Sequence, residues 1–172
     1  MKESKRTTPI LLILSSVVGF ALLFAGATLV GQQKQASEEE KDQSTVRTIT
    51  ATVPGRDWRI TASEGPREPA SIGSYALRLY VPFDAEWPFD NYVDGEVRVR
   101  DGSLEQVLFS DLNNDKIMDV IVVARSAGSG GYLRVDGFLL QAEDISFLHS
   151  VDGLASDADP IDSLKSDMEK AD

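Results

Sequence analysis

A chain of 172 residues with 42% hydrophobic side chains is long enough for one domain with its own core, once its two ends are set aside. Its net charge of −11 opposes binding to nucleic acid or anionic lipid, and favours a basic partner through long-range attraction. The absence of cysteine excludes disulfides, a lipoprotein anchor, thiolate metal centres and thiol catalysis.

In chain order, Lys2, Lys5 and Arg6 precede an uncharged stretch from Thr7 to Gln33 with an apolar centre from Ile10 to Val30. Ala25-Gly26-Ala27 has the small residues of a cleavage site, so residues 1–31 read as a signal peptide cut after Ala27. The same run is also long enough, at about 20 apolar residues, to be an N-terminal membrane-targeting helix that stays as a transmembrane anchor over residues 10–30. Export follows either way. Loss of residues 1–27, with three basic and one acidic side chain, takes the charge to −13. Residues 32–45 (QQKQASEEEKDQST from Gln32) lack apolar periodicity and read as a disordered linker.

From Val46 the pattern has period two. Trp58, Ile60 and Ala62 alternate with polar residues, as do Tyr75, Leu77, Leu79 and Val81, and Val93, Val97 and Val99. Turn residues separate the runs at Val53-Pro54-Gly55, Glu64-Gly65-Pro66 and Pro82 to Pro88. Asp101-Gly102 reads as a two-residue hairpin, with Leu104, Val107 and Phe109 on the return strand. Val120 to Ala124, Tyr132 to Gln141 and Ile145 to Val151 add further strands. The sum is an all-β domain over residues 46–164, an antiparallel β-sandwich or flattened barrel of about eight strands. Asp159-Pro160 with Ile161, Leu164 and Met168 marks a short C-terminal helix, and residues 165–172 read as a frayed acidic tail. Alternation alone leaves open whether Val93, Val97 and Val99 close a core or pair with a second copy in a homodimer.

Three constellations invite chemistry. Asp111, Asn113, Asp115 and Asp119 stand at positions one, three, five and nine of a loop, a spacing that can wrap calcium. Lys116 occupies the place of the usual glycine and no acid stands at position twelve, so self-capping of the loop is the stronger reading and no metal or cofactor is assigned. Ala127-Gly128-Ser129-Gly130-Gly131 approaches a nucleophile elbow, but a strand pattern follows it, and His149 is the only histidine available as a base. No enzyme is expected. What remains is a glycine-rich loop, Arg125 to Tyr132, between two strands. Ser126 and Gly128 shape it, while Ser129, Gly130, Gly131 and Tyr132 offer a bare backbone with two hydroxyls.

The segments Ser71 to Tyr80, Asp111 to Val123, Arg125 to Leu133, and Gly153-Leu154 with Asp157 to Pro160 together resemble the bacterial periplasmic inhibitors of invertebrate-type lysozyme. The resemblance spans about Thr50 to Leu164. It implies an eight-stranded antiparallel fold, a periplasmic location, and a protruding loop that enters the lysozyme's active-site cleft and protects peptidoglycan. The family's serine and tyrosine, three apart, fall on Ser129 and Tyr132. The expected partner is therefore an invertebrate-type lysozyme, and the rival function is a calcium-dependent cell-envelope binding module built on Asp111 to Asp119.

Overall fold

A computed structural model describes residues 46–171, so the targeting segment over residues 1–31 and the whole linker over residues 32–45 lie outside the described residues. No helix among the described residues is long and apolar enough to cross a membrane. Eight strands form: β1 (Thr48–Thr52), β2 (Arg59–Glu64), β3 (Ile72–Tyr80), β4 (Tyr92–Asp101), β5 (Ser103–Ser110), β6 (Asp119–Arg125), β7 (Leu133–Gln141) and β8 (Asp144–Leu154), followed by a helix, α1 (Pro160–Ala171). They make two four-stranded antiparallel sheets, in the orders β1-β2-β3-β4 and β5-β6-β7-β8.

The alternating positions meet between the sheets. Ile60 and Ala62 of β2 and Tyr75, Leu77 and Leu79 of β3 pack against Val120 and Val122 of β6 and Phe138 and Leu140 of β7. The unbroken apolar run in β6 has a simple cause: both of its faces are buried. Val120 and Val122 point at the first sheet, while Ile121 and Val123 join Leu133, Val135 and Leu164 in a second cluster under α1. Asp159 caps α1 by accepting from the amides of Ile161 and Asp162, both at 2.9 Å, and Leu164 is fully buried. Ile161 and Met168 pack on the same cluster, and the helix continues past Lys165 to Ala171 instead of fraying.

Asp101-Gly102 is not a hairpin. β4 and β5 lie in different sheets, and the chain crosses between them at Gly102. Gly102 has φ +91°, and a Cβ there would stand 1.9 Å from the Arg125 carbonyl oxygen, so the crossing needs glycine. The corner is fixed by Arg100, which is 2% exposed. Its guanidinium donates to the carbonyls of Ser74, Ala70, Pro69 and Gly102, and it pairs with Glu64 and Glu68 at 3.7 Å. Glu64 in turn accepts from the Leu104 amide at 2.8 Å, so first and second sheets are joined at this end by a closed polar network.

The three valines of β4 part company at a bulge. Leu79 pairs with Asp94 and Tyr80 with Tyr92, which leaves Val93 as the extra residue and turns it toward the core. Val97 and Val99, at 68% and 65% exposed, lie on the outer face instead. They do not close the core.

Candidate functional site

The loop between β6 and β7 leaves the sandwich at the same end as the Gly102 crossing. Its neck is closed by the Ser126 amide donating to the Tyr132 carbonyl at 2.8 Å, and its tip by the Gly131 amide donating to the Gly128 carbonyl at 3.0 Å. Gly131 sits at φ +53°, and the Tyr132 ring lies so close to Gly130 that a Cβ there would be 2.3 Å from a ring carbon. Two glycines thus let the aromatic ring fold against its own loop. Ser129 is exposed and Tyr132 is 55% exposed. Among the described residues, neither hydroxyl is taken up by an internal hydrogen bond. Both remain available to a partner.

The loop is braced from below. Arg125, the last residue of β6, donates from Nη1 to the Gly131 carbonyl at 2.8 Å and to the Ser156 carbonyl at 3.1 Å. Its Nε and Nη2 form a two-pronged contact with the Glu105 carboxylate. Hydrogen bonds from Arg125 hold the Glu105 carboxyl below the usual range for glutamate, and the Arg125 pKa is raised in return. Glu105 reaches this position because β5 bulges between Leu104 and Gln106, where the register with β6 shifts. The sequence singles out neither residue in this role, since its signal is a bulge that alternation does not reveal.

Beside Tyr132 a second polar chain rises from the core. Asp136, 2% exposed, accepts from Tyr75 Oη and Ser150 Oγ, both at 2.6 Å, and from Arg134 Nε at 3.1 Å. Burial chiefly, and then the neighbouring Asp136 charge, push the Tyr75 phenol upward, so it stays a donor at all working pH. Arg134 also holds Asp152 with two contacts at 3.0 and 3.2 Å.

The loop between β5 and β6 is organised in the opposite sense. Asp119, fully buried, accepts from the Leu112 amide at 2.9 Å and the Leu140 amide at 3.0 Å. Burial raises its pKa, and those two amides pull it back down. Asp111 Oδ2 accepts from the Lys116 amide, Asn113 Oδ1 from the Asp115 amide, and Asp115 Oδ1 from the Ile117 amide. Asn113 also donates from Nδ2 to Asp115. These bonds support left-handed backbone at Asn114 and Lys116, with φ of 63° and 70°. Among the described residues no group of three or more histidine, cysteine or carboxylate side chains is gathered as a metal site.

His149 is not assembled with Ser129. It pairs across the sheet with Gly137, and its Nε2 lies 2.9 Å from Asp167 Oδ2 on α1. Gly137 is four residues along β7 from Leu133 at the loop's foot, roughly 13 Å of strand. A serine, histidine and acid arrangement is not formed.

The model of the family "Periplasmic lysozyme inhibitor of I-type lysozyme" matches residues 45–168. The chain belongs to that family. Its members are inhibitors of a periplasmic class and not enzymes. The crystal structure of the family's inhibitor from Aeromonas hydrophila, PliI-Ah, is 43% identical, with a TM-score of 0.64, covering 69% of this chain and 99% of that one. A second structure shows the Aeromonas hydrophila inhibitor in complex with Meretrix lusoria lysozyme, again at 43% identity and a TM-score of 0.64, covering 69% of this chain and 95% of that one. No curated protein sequence matches the chain.

Proposed function

We propose that this protein inhibits invertebrate-type lysozyme in the periplasm by inserting the loop from Ser129 to Tyr132 into the enzyme's active-site cleft, and so protects peptidoglycan. The observation that carries the reading is a braced, exposed loop with two unengaged hydroxyls, in a chain whose relative was crystallised with a lysozyme. A glycosidase of this kind cleaves between two carboxyl groups. Ser129 and Tyr132 can donate to such carboxyls and offer no glycosidic bond to break, so they occupy the site without turnover. Each charge-assisted bond contributes on the order of 1.5 to 3 kcal/mol. A loop already held in shape also loses less freedom on binding than a mobile one. The acidic surface, with net charge −11, speeds encounter with a basic enzyme.

The rival calcium-dependent module needs the oxygens of Asp111 to Asp119 turned toward a common centre. Their hydrogen bonds to the loop's own amides favour a structural turn instead. The test of the inhibitor reading is muramidase activity of invertebrate, chicken and goose type lysozymes, measured side by side with increasing full-length protein. Selective loss of the invertebrate-type activity is expected. Full activity of that enzyme at saturating protein would overturn the reading.

A further inference from the structure

A cavity of about 330 Å³ opens directly beside the Ser129 to Tyr132 loop, and the inhibitory role given to the loop does not use it. It is lined by Ser126 and Tyr132 of the loop, Arg134 of β7, Asp152 of β8 and Asp101 of β4. Its charge is uneven. Arg134 is spent on Asp136 and Asp152, while Asp101, the exposed last residue of β4, is in no ion pair among the described residues. Two carboxylates, Asp101 and Asp152, line the cavity with one guanidinium that the buried Asp136 also neutralises from behind, so the cavity keeps a net negative potential.

The walls are also stiff. Asp152 is held by Arg134, Arg134 by Asp136, and Asp136 by Tyr75 and Ser150 in the core. Asp101 is placed by the adjoining Gly102 crossing, where Arg100 is buried among backbone carbonyls. Preformed, negatively charged and a few ångströms from the plug, the cavity suits a long basic side chain whose stem can lie along Tyr132 while its head meets a carboxylate.

We propose that this cavity is a second contact surface for the lysozyme, receiving a lysine or arginine side chain from the wall of the enzyme's cleft, with Asp101 as its principal acceptor. The proposal rests on the inhibitor reading and extends it from the loop to the neighbouring sheet edge. It assigns selectivity to the cavity: the loop addresses carboxyl groups that lysozymes share, whereas a basic residue at the right place on the cleft wall is a property of particular enzymes.

The test compares binding of the Meretrix lusoria lysozyme to the full-length protein and to three variants, Asp101→Asn, Asp101→Glu and Glu86→Gln. Glu86 lies in the exposed loop between β3 and β4 at the opposite end of the sandwich, so its variant removes the same charge without touching the cavity. The expected result is about a 10-fold loss of affinity for Asp101→Asn, mostly as faster dissociation, with Asp101→Glu and Glu86→Gln within about 3-fold of the parent. Equal affinity for Asp101→Asn and the parent would overturn the cavity and leave the inhibitor reading standing. Equal losses for Asp101→Asn and Glu86→Gln would also overturn it, since they would reveal only long-range attraction. A parent that does not bind this lysozyme would remove both readings.

Discussion

The two loops that flank β6 are built from similar polar, turn-forming residues and do opposite things with them. Between β5 and β6, Asp111, Asn113, Asp115 and Asp119 accept from amides of their own loop or of β7, with Asp111 Oδ1 left buried without a hydrogen-bond partner. Between β6 and β7, the backbone and Arg125 carry the internal bonds, and the hydroxyls of Ser129 and Tyr132 are left exposed. The first loop spends most of its side-chain oxygens on its own backbone. The second, braced by its backbone and by Arg125, leaves its own hydroxyls exposed.

Breaking the first loop should cost the most in stability. Asp119→Ala leaves the buried Leu112 and Leu140 amides without acceptors, an expected loss of about 3 kcal/mol by denaturant unfolding, while the protein that remains folded should bind lysozyme as tightly as before. The second loop should respond in the reverse way. Gly130→Ala drives a methyl group into the Tyr132 ring and should weaken inhibition about 10-fold with little change in unfolding midpoint. A fall in stability as large as for Asp119→Ala would show that the two loops do not differ as described.

Smaller effects sharpen the contrast. Arg125→Gln removes the brace and the ion pair to Glu105, and a modest loss of affinity is expected, with faster amide hydrogen exchange at Gly130 and Gly131. The Glu105 carboxyl is held below its ordinary pKa in the folded protein, so its contribution is present above the unfolded value and disappears as pH falls through the lowered one. Unfolding experiments from pH 7 down to pH 3 should therefore show parent and Arg125→Gln converging at the acid end. Calcium should matter least: adding it, or removing it with a chelator, should leave the melting temperature within about 1 °C, and a clear rise would restore Asp111 to Asp119 as an ion site.

Much of this was legible from residue patterns. Alternation in β2 and β3 marks the same side chains that fill the core, the unbroken apolar run marks the doubly covered β6, and Asp159-Pro160 marks the start of α1. Failures came where distant groups decide the outcome. Asp101-Gly102 satisfies the residue preferences of a hairpin and of a sheet crossing alike, and only the burial of Arg100 against carbonyls from residues 69 to 102 distinguishes them. Val93 and Glu105 owe their directions to bulges, which shift the period by one residue without a marker in composition. For the proposed site, the glycine-rich loop and the family resemblance point to Ser129 and Tyr132. They do not point to Arg125, because its partners Glu105, Gly131 and Ser156 come from three separate parts of the chain.

The central claim is that the hydroxyls of Ser129 and Tyr132 block a lysozyme's active site. It is tested most directly by measuring the inhibition constant for an invertebrate-type lysozyme with the parent protein and with the double variant Ser129→Ala, Tyr132→Phe. Loss of two charge-assisted bonds predicts inhibition weaker by at least about 100-fold with an unchanged thermal melt. Equal inhibition by parent and double variant would contradict the account.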